Sequence, residues 1–392
     1  MEKNFKMLAK TFYGMEKILA VELKQLGAVD VYEGNRLVHF KGDKGFMYKA
    51  NLCLRTALKI LKPIFQFQAK NEGVLYEKLY NYDWSGLLSS EQTFAIESVV
   101  NGKVFNHSLY VTQRCKDAIV DRFRKDHGKR PMVDINHPDI RFHLHIFDQK
   151  CSLSLDTSGD SLHHRGYRYL TNIAPINEVL AAGIIMLSDW DQRTDFMDPM
   201  CGSGTFLIEA AMMACKIPAN HNRNVFAFEK WKDWDNILFN KIKDSKLNNV
   251  VSPTGKIYGF DKAPSAIEKS TTNIKNAGLE DFIHVNRANF FNSQKMGDTP
   301  LHLLTNPPYG ERLSGDINTL YRKFGDVLKR SYPNTEAWII SSNFEAIKFF
   351  GLRPSRKIKL FNGKLETRLY NFPIYEGTKK IHKVKNQKPF EN

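Results

Sequence analysis

Three short segments carry residue types and spacings from which chemistry can be built. The first is Asp198-Pro199-Met200-Cys201-Gly202-Ser203-Gly204-Thr205. It follows an apolar strand ending at Phe196–Met197 and opens a helix predicted over 204–214. Gly202 and Gly204 let the backbone come close to a ligand, and the helix start offers unpaired N–H groups. A third glycine of the dinucleotide fingerprint is replaced by Leu207, and the Gly-Lys-Ser/Thr of a phosphate loop is missing. Both phosphate readings therefore fail. Asp198 suits a ligand bearing ammonium and hydroxyl groups better than a pyrophosphate. A plain glycine turn between strand and helix would use the same residues.

The second segment is Gly259-Phe260-Asp261, at the end of the next predicted strand, 256–260. An acid at such a strand end can accept hydrogen bonds from both hydroxyls of a ribose. Alone, Asp261 could equally be a helix-start acid favoured by the helix dipole. The third segment is Thr305-Asn306-Pro307-Pro308-Tyr309-Gly310, just past a buried-looking strand, 301–305. Each proline pushes its predecessor to extended geometry and stiffens the turn. The Asn306 amide oxygen and the Pro307 carbonyl are then two acceptors, which suits an NH2 group with two donors. Tyr309 supplies a flat face for a base to stack on. An isolated rigid turn would again explain the segment by itself; three such segments at successive strand ends are far more specific.

The elements that must hold these turns read as strand–helix alternation after Arg168, with further helices at 264–277 and 317–330 and a strand at 337–340. That is the pattern of a doubly wound, Rossmann-like α/β sheet. Residues 216–255 form a polar, Trp-containing insertion in it. Earlier residues read differently. An apolar stripe from Met15 to Leu26 stops at Gly27, and 35–41 reads as a strand. Asp43 can cap a helix running through Leu58, and Lys116–His127 is helical up to Gly128. Residues 140–147 alternate strictly, placing Arg141, His143 and His145 on a solvated face, and 151–155 can pair with them. This first region looks like an α+β unit on an antiparallel sheet.

The 392 residues suffice for two or three domains. Composition is 42% hydrophobic and 25% charged, with a formal net charge of +15 spread along the chain, which favours a polyanionic partner. Five cysteines (Cys53, Cys115, Cys151, Cys201, Cys215) form no CxxC pair, which excludes a zinc ribbon and fits a reducing, cytoplasmic setting. His163-His164 lack the carboxylates or thiols of a metal site, so no metal is expected. No apolar run approaches the ~18–20 residues of a membrane span. Arg122, Arg124, Lys125, Lys129 and Arg130 form one basic patch, and Arg353, Arg356, Lys357, Lys359, Lys364 and Arg368 another, both candidates for nucleic-acid phosphates.

With DPMCGSGTFLIEAA, NPPYGERL and the segment from Asp156 to Arg168, DTSGDSLHHRGYR, the chain resembles the class I S-adenosyl-L-methionine-dependent methyltransferases that modify exocyclic amino groups of nucleobases. Within these it is similar to the THUMP-domain RNA methyltransferases, and among them to bacterial enzymes related to the 23S ribosomal RNA guanine-N2 methyltransferase. The likeness runs from Phe12 to about Tyr375.

The resemblance implies a ferredoxin-like segment over 1–44, a THUMP RNA-binding domain over 45–157, a methyltransferase domain over 158–375 and a basic disordered tail over 376–392. It implies that Asp198, Pro199, Cys201, Gly202, Ser203, Gly204 and Thr205 form the donor turn, with Asp261 on the ribose. Asn306, Pro307, Pro308 and Tyr309 would hold the target base. Asn289 stands where many relatives carry an Asp facing the adenine amino group, and its amide oxygen can still accept. The expected partner is RNA, most simply 23S rRNA, with oligomeric state left open. The competing expectations are amino-methylation of tRNA guanine or adenine N6, and a non-catalytic RNA-binding assembly factor.

Overall fold

The computed structural model describes residues 3–169, 175–308 and 317–376, which divide into two compact units. Tyr309, Gly310 and the tail beyond Glu376 lie outside the described residues.

The first unit comprises Met1–Thr11, Leu19–Leu162 and Arg223–Ser245. Its elements are β1 (Phe5–Lys10), α1 (Glu16–Leu26), β2 (Val29–Gly34), β3 (Leu37–Gly42), α2 (Lys44–Cys53), β4 (Lys59–Gln68), α3 (Glu72–Tyr80), β5 (Thr93–Asn101), α4 (Ser108–His127), β6 (Met132–Val133), β7 (Ile140–Phe147) and β8 (Lys150–Asp156). One eight-stranded sheet has the order β2-β3-β1-β4-β8-β7-β5-β6. It is antiparallel except that β5 pairs in parallel with β6 and β7, which corrects the wholly antiparallel expectation.

Local chemistry explains the limits of these elements. Leu19, Ala20 and Leu23 bury the stripe of α1, and Gly27 ends it with φ of 102°. The Asp43 carboxylate accepts from the Phe46 N–H at 2.7 Å to cap α2. That helix stops at Cys53 rather than Leu58, because Leu54 turns extended and the Leu58 N–H pairs with the Lys10 carbonyl at 2.7 Å. The helix expected from Lys116 starts at Ser108.

His143 is a second correction: it is buried, not solvated. It stands in register with Glu97 on β5 and Ser154 on β8, and its Nε2 lies 3.1 Å from Lys10 Nζ. Burial, with the Lys10 charge beside it, lowers the imidazole pKa to about 4, so it stays neutral.

The polar insertion contributes apolar substance to this unit. Phe226, Phe228, Trp231 and Phe239 join the core around Tyr48. Phe228 is nearly inaccessible, with ring centroids 4.6 Å from Tyr48, 5.1 Å from Phe226 and 5.4 Å from Trp234. Arg223 fixes the turn after β8, donating to the carbonyls of Ser158 (3.1 Å), Asp160 (2.6 Å) and Ser161 (3.0 Å).

The second unit comprises Phe12–Ile18, His163–Asn222 and Lys246–Asn392. Its elements are α5 (Glu178–Leu187), β9 (Asp195–Asp198), α6 (Thr205–Ala214), the end of α7 (Asn236–Leu247), β10 (Ile257–Asp261), α8 (Pro264–Asn276), β11 (Ile283–Arg287), β12 (Leu301–Thr305), α9 (Ile317–Ser331), β13 (Thr335–Ser341), β14 (Arg356–Asn362) and β15 (Leu365–Ile374). The seven-stranded sheet runs β11-β10-β9-β12-β13-β15-β14. Its first five strands are parallel, and β15 and β14 close the edge antiparallel. The order reverses between β9 and β12, the crevice position where open α/β sheets bind ligands. This is the expected doubly wound architecture.

Under α6 lies a buried ion pair. The side chains of Arg165 and Glu209 are both 0% exposed, with Nε 3.3 Å from Oε1, and the Tyr167 hydroxyl donates to the same oxygen at 3.1 Å. Removing one partner strands the other charge, so Arg165→Met should cost about 3–5 kcal/mol. Phe228→Ala should cost about 3–5 kcal/mol through the cavity it leaves. Chemical denaturation measures both; a loss below 1 kcal/mol for Phe228→Ala would mean that Arg223–Ser245 is not integral to the first unit.

Candidate functional site

The site is built where β9, β10 and β12 end. Beyond β9 the chain must turn sharply into α6, and Gly202 and Gly204 adopt φ of 55° and 81° to do so. A Cβ on Gly204 would lie 3.2 Å from the Ser270 Cβ on α8. One on Gly259 would lie 2.7 Å from the Asp198 carbonyl oxygen. Side chains at these positions would push the turn off the neighbouring elements, so glycine is needed for close approach.

Hydrogen bonds lace the three turns together. The Thr305 hydroxyl donates to Asp198 Oδ1 at 2.7 Å, and the Met200 N–H donates to the same oxygen at 3.1 Å. The Gly202 N–H donates to Asp261 Oδ2 at 3.1 Å, and the Ala263 N–H to Oδ1 at 2.9 Å. Asn273 on α8 donates to the Ser203 carbonyl at 3.0 Å.

One cavity of about 1070 Å³ gathers nearly all of the expected residues. Asp198, Pro199, Cys201, Gly202, Ser203 and Thr205 line it, as do Asp261, Asn289, Asn306, Pro307 and Pro308. Gly204 shapes the turn without lining the space, and Tyr309 lies outside the described residues. Sequence reasoning missed Pro175 and Ile176, Phe290 and Phe291, Ser342 after β13, and Asn362 and Leu365 at the tip of the β14–β15 hairpin. The Asn362-Gly363 dipeptide is a hairpin signal. Nothing local in the sequence says that this hairpin reaches the cavity.

The electrostatics are uneven. Asp198 is 2% exposed. Burial raises its pKa to about 7, the Thr305 and Met200 bonds oppose the rise, and the Asp261 charge adds to it. The Cys201 thiol is buried and pushed well up, so it is packing rather than nucleophile. Asn289 caps a short helical turn by accepting from the Phe291 N–H at 3.1 Å, and its oxygen keeps a second lone pair. Asn306 Oδ1 is buried and has no hydrogen-bond partner among the described residues. Leaving such an acceptor unpaired costs on the order of 1–3 kcal/mol, which a ligand N–H would recover. Among the described residues no cluster of His, Cys, Asp or Glu could hold a metal, and no helix is long and apolar enough to cross a membrane.

A glycine cradle, a buried carboxylate, a second carboxylate at the next strand end and a waiting acceptor fit a ligand with an ammonium group and ribose hydroxyls beside a substrate amine. Residues 6–61 match the RlmL ferredoxin-like domain and 69–156 the THUMP domain. The ribosomal RNA large subunit methyltransferase K/L of Desulfotalea psychrophila is 35% identical over 93% of this chain and 52% of its own. The chain thus spans about half the length of the K/L relatives it matches. A Synechocystis protein bearing the name Putative RNA methyltransferase is 33% identical over 92% of this chain and 95% of its own. The crystal structure of SMU.472 complexed with SAH superposes with a TM-score of 0.86 at 31% identity, covering 96% of this chain and all of that one. Residues 165–371 match the RMKL-like methyltransferase domain, and the chain belongs to that family.

Proposed function

We propose that this chain is an S-adenosyl-L-methionine-dependent RNA methyltransferase that modifies the exocyclic N2 of a guanine in 23S rRNA, acting in the cytoplasm. The observation that carries this reading is Asn306 Oδ1, buried without a hydrogen-bond partner among the described residues, in the same cavity as Asp198 and Asp261. Relatives named for large-subunit ribosomal RNA and the THUMP match support RNA as substrate.

S-Adenosyl-L-methionine supplies an electrophilic methyl on a positively charged sulfur. The residues of the chain do the rest by placement. Asp198, in its carboxylate form, faces the donor's ammonium, and Asp261 accepts from ribose hydroxyls. Asn306 Oδ1 and the Pro307 carbonyl accept the two hydrogens of the guanine amine. A guanine N2 lone pair is delocalised into its ring and a poor nucleophile. Two acceptors on its hydrogens draw the nitrogen toward tetrahedral geometry and aim its lone pair at the methyl carbon. With the donor bound, the N–C bond would form as the C–S bond breaks, its electron pair staying on sulfur so that S-adenosyl-L-homocysteine is the leaving group. The nitrogen would then lose a proton to solvent without a strong base. Positioning and fixed dipoles supply the rate enhancement. The base must first leave its stack, at a cost of a few kcal/mol.

Much of the basic surface is already paired. Arg122 meets Asp126, Arg124 meets Asp121, Arg356 meets Asp189 and Lys359 meets Glu366. Arg353, Lys357 and Lys364 remain exposed as phosphate contacts.

Methylation of rRNA by the purified protein, followed by nucleoside mass spectrometry, should yield N2-methylguanosine. Asn306→Ala should reduce the rate at least 100-fold while S-adenosyl-L-homocysteine still binds with near-wild-type affinity. N6-methyladenosine as product would move the activity to adenine, and wild-type turnover by Asn306→Ala would contradict the assigned role. A protein that binds RNA and no S-adenosyl-L-homocysteine would be an assembly factor.

The raised Asp198 pKa gives a second expectation. Protonation removes the charge that faces the ammonium, so affinity should rise as pH increases from 6 through about 7 and level off above. Calorimetric titration of wild type and Asp198→Asn checks this; the variant should bind weakly with the rise gone.

A further inference from the structure

Helix α6 starts without a side-chain cap, since Gly204 precedes Thr205. Its first turn therefore offers unpaired N–H groups and the positive end of the helix dipole. Thr205 is 4% exposed and lines the cavity. Its hydroxyl oxygen accepts from Arg168 Nη2 at 2.8 Å, and the same nitrogen donates to the Ile176 carbonyl at 2.9 Å. Arg168 Nε lies 2.9 Å from Glu178 Oε1 at the start of α5, and only 13% of the Arg168 side chain is exposed. Arg168 does not line the cavity, so whatever it does there it does through Thr205 and the Ile176 backbone.

A hydroxyl that accepts from a guanidinium cannot turn its own proton toward it. The Thr205 hydroxyl proton has no acceptor among the described residues and is left for the cavity. The acids there, Asp198 and Asp261, repel an anion and suit the ammonium and the hydroxyls. The donor carries one anionic group, the carboxylate of its amino-acid end, and the start of α6 is where that charge is favoured.

We infer that Arg168 is a positioning residue, fixing the Thr205 hydroxyl as a hydrogen-bond donor to the carboxylate of the methyl donor. Glu178 holds the guanidinium in place, so the glutamate, the arginine and the threonine act as one chain of contacts ending at the ligand. The inference rests on the donor reading above and adds to it the means by which the amino-acid end is recognised.

Two ligands separate this role from mere structural support. S-Adenosyl-L-homocysteine carries the carboxylate; 5′-methylthioadenosine lacks the whole amino-acid end. Calorimetric titration of both would use wild type, Thr205→Val, Thr205→Ser, and the double variant Arg168→Gln/Glu178→Gln, which strands no buried charge. Thr205→Val and the double variant should weaken S-adenosyl-L-homocysteine about 10- to 100-fold, as expected for losing a hydrogen bond to a charged group. Methylthioadenosine affinity should stay within about twofold, and Thr205→Ser should restore binding. Combining Thr205→Val with the double variant should weaken binding little further. Equal losses for both ligands, or none for either, would overturn the inference. If the double variant does not fold, the Val and Ser variants decide by the same ratio. Wild type binding neither ligand would instead refute the donor reading itself.

Discussion

The hydrogen bond from the Thr305 hydroxyl to Asp198 is the constraint on which the site depends. Thr305 is the last residue of β12 and Asp198 the last of β9, and these strands are neighbours at the point where the sheet order reverses. The bond fixes the glycine turn against the Asn-Pro-Pro turn that follows Thr305. A second bond, from the Gly202 N–H to Asp261, fixes the same glycine turn against the end of β10. Three segments separated by dozens of residues are thereby held around one cavity. The first bond uses a carboxylate that is buried, and removing it from water is costly, so the site stores an unfavourable desolvation at Asp198 that a cationic ligand can relieve.

Such a cavity has a division of labour visible in its polar atoms. Carboxylates cluster at β9 and β10, where positive charge and hydroxyls are welcome. Among the described residues just beyond β12, the Asn306 amide oxygen and the Pro307 carbonyl are neutral acceptors held by a stiff backbone. A nucleophilic amine needs its hydrogens engaged without being protonated, and a neutral amide oxygen does that where a carboxylate beside a cationic donor would compete for the charge. The Asn306 oxygen, buried and without a hydrogen-bond partner among the described residues, is the acceptor that the proposed reading assigns to the substrate amine.

Much of this was legible in the sequence because the relevant information is local. Glycine spacing, an acid at a strand end and paired prolines each dictate backbone geometry within a few residues, and the parallel sheet that orders them follows from strand–helix alternation. What escaped was long-range. His143 alternates like a solvated residue, but Lys10 and Glu97, distant in sequence, bury it. The segment around Phe226 and Trp231 reads as a polar insertion, because its few aromatics are diluted by charge until Tyr48 collects them into a core. Asn362 and Leu365 reach the cavity only because β14 and β15 fold back at the sheet edge. The helix limit at Leu58 missed for a related reason: pairing of the chain to β1 ended that helix, and nothing in its own composition announced it.

A crystal structure of this protein with S-adenosyl-L-homocysteine tests the central claim most directly. The ribose should rest on Asp261 and the ammonium near Asp198, with the sulfur facing Asn306 across a gap wide enough for a methyl group and a nitrogen. A ligand seated outside this cavity, or one whose sulfur turns away from Asn306, would contradict the account.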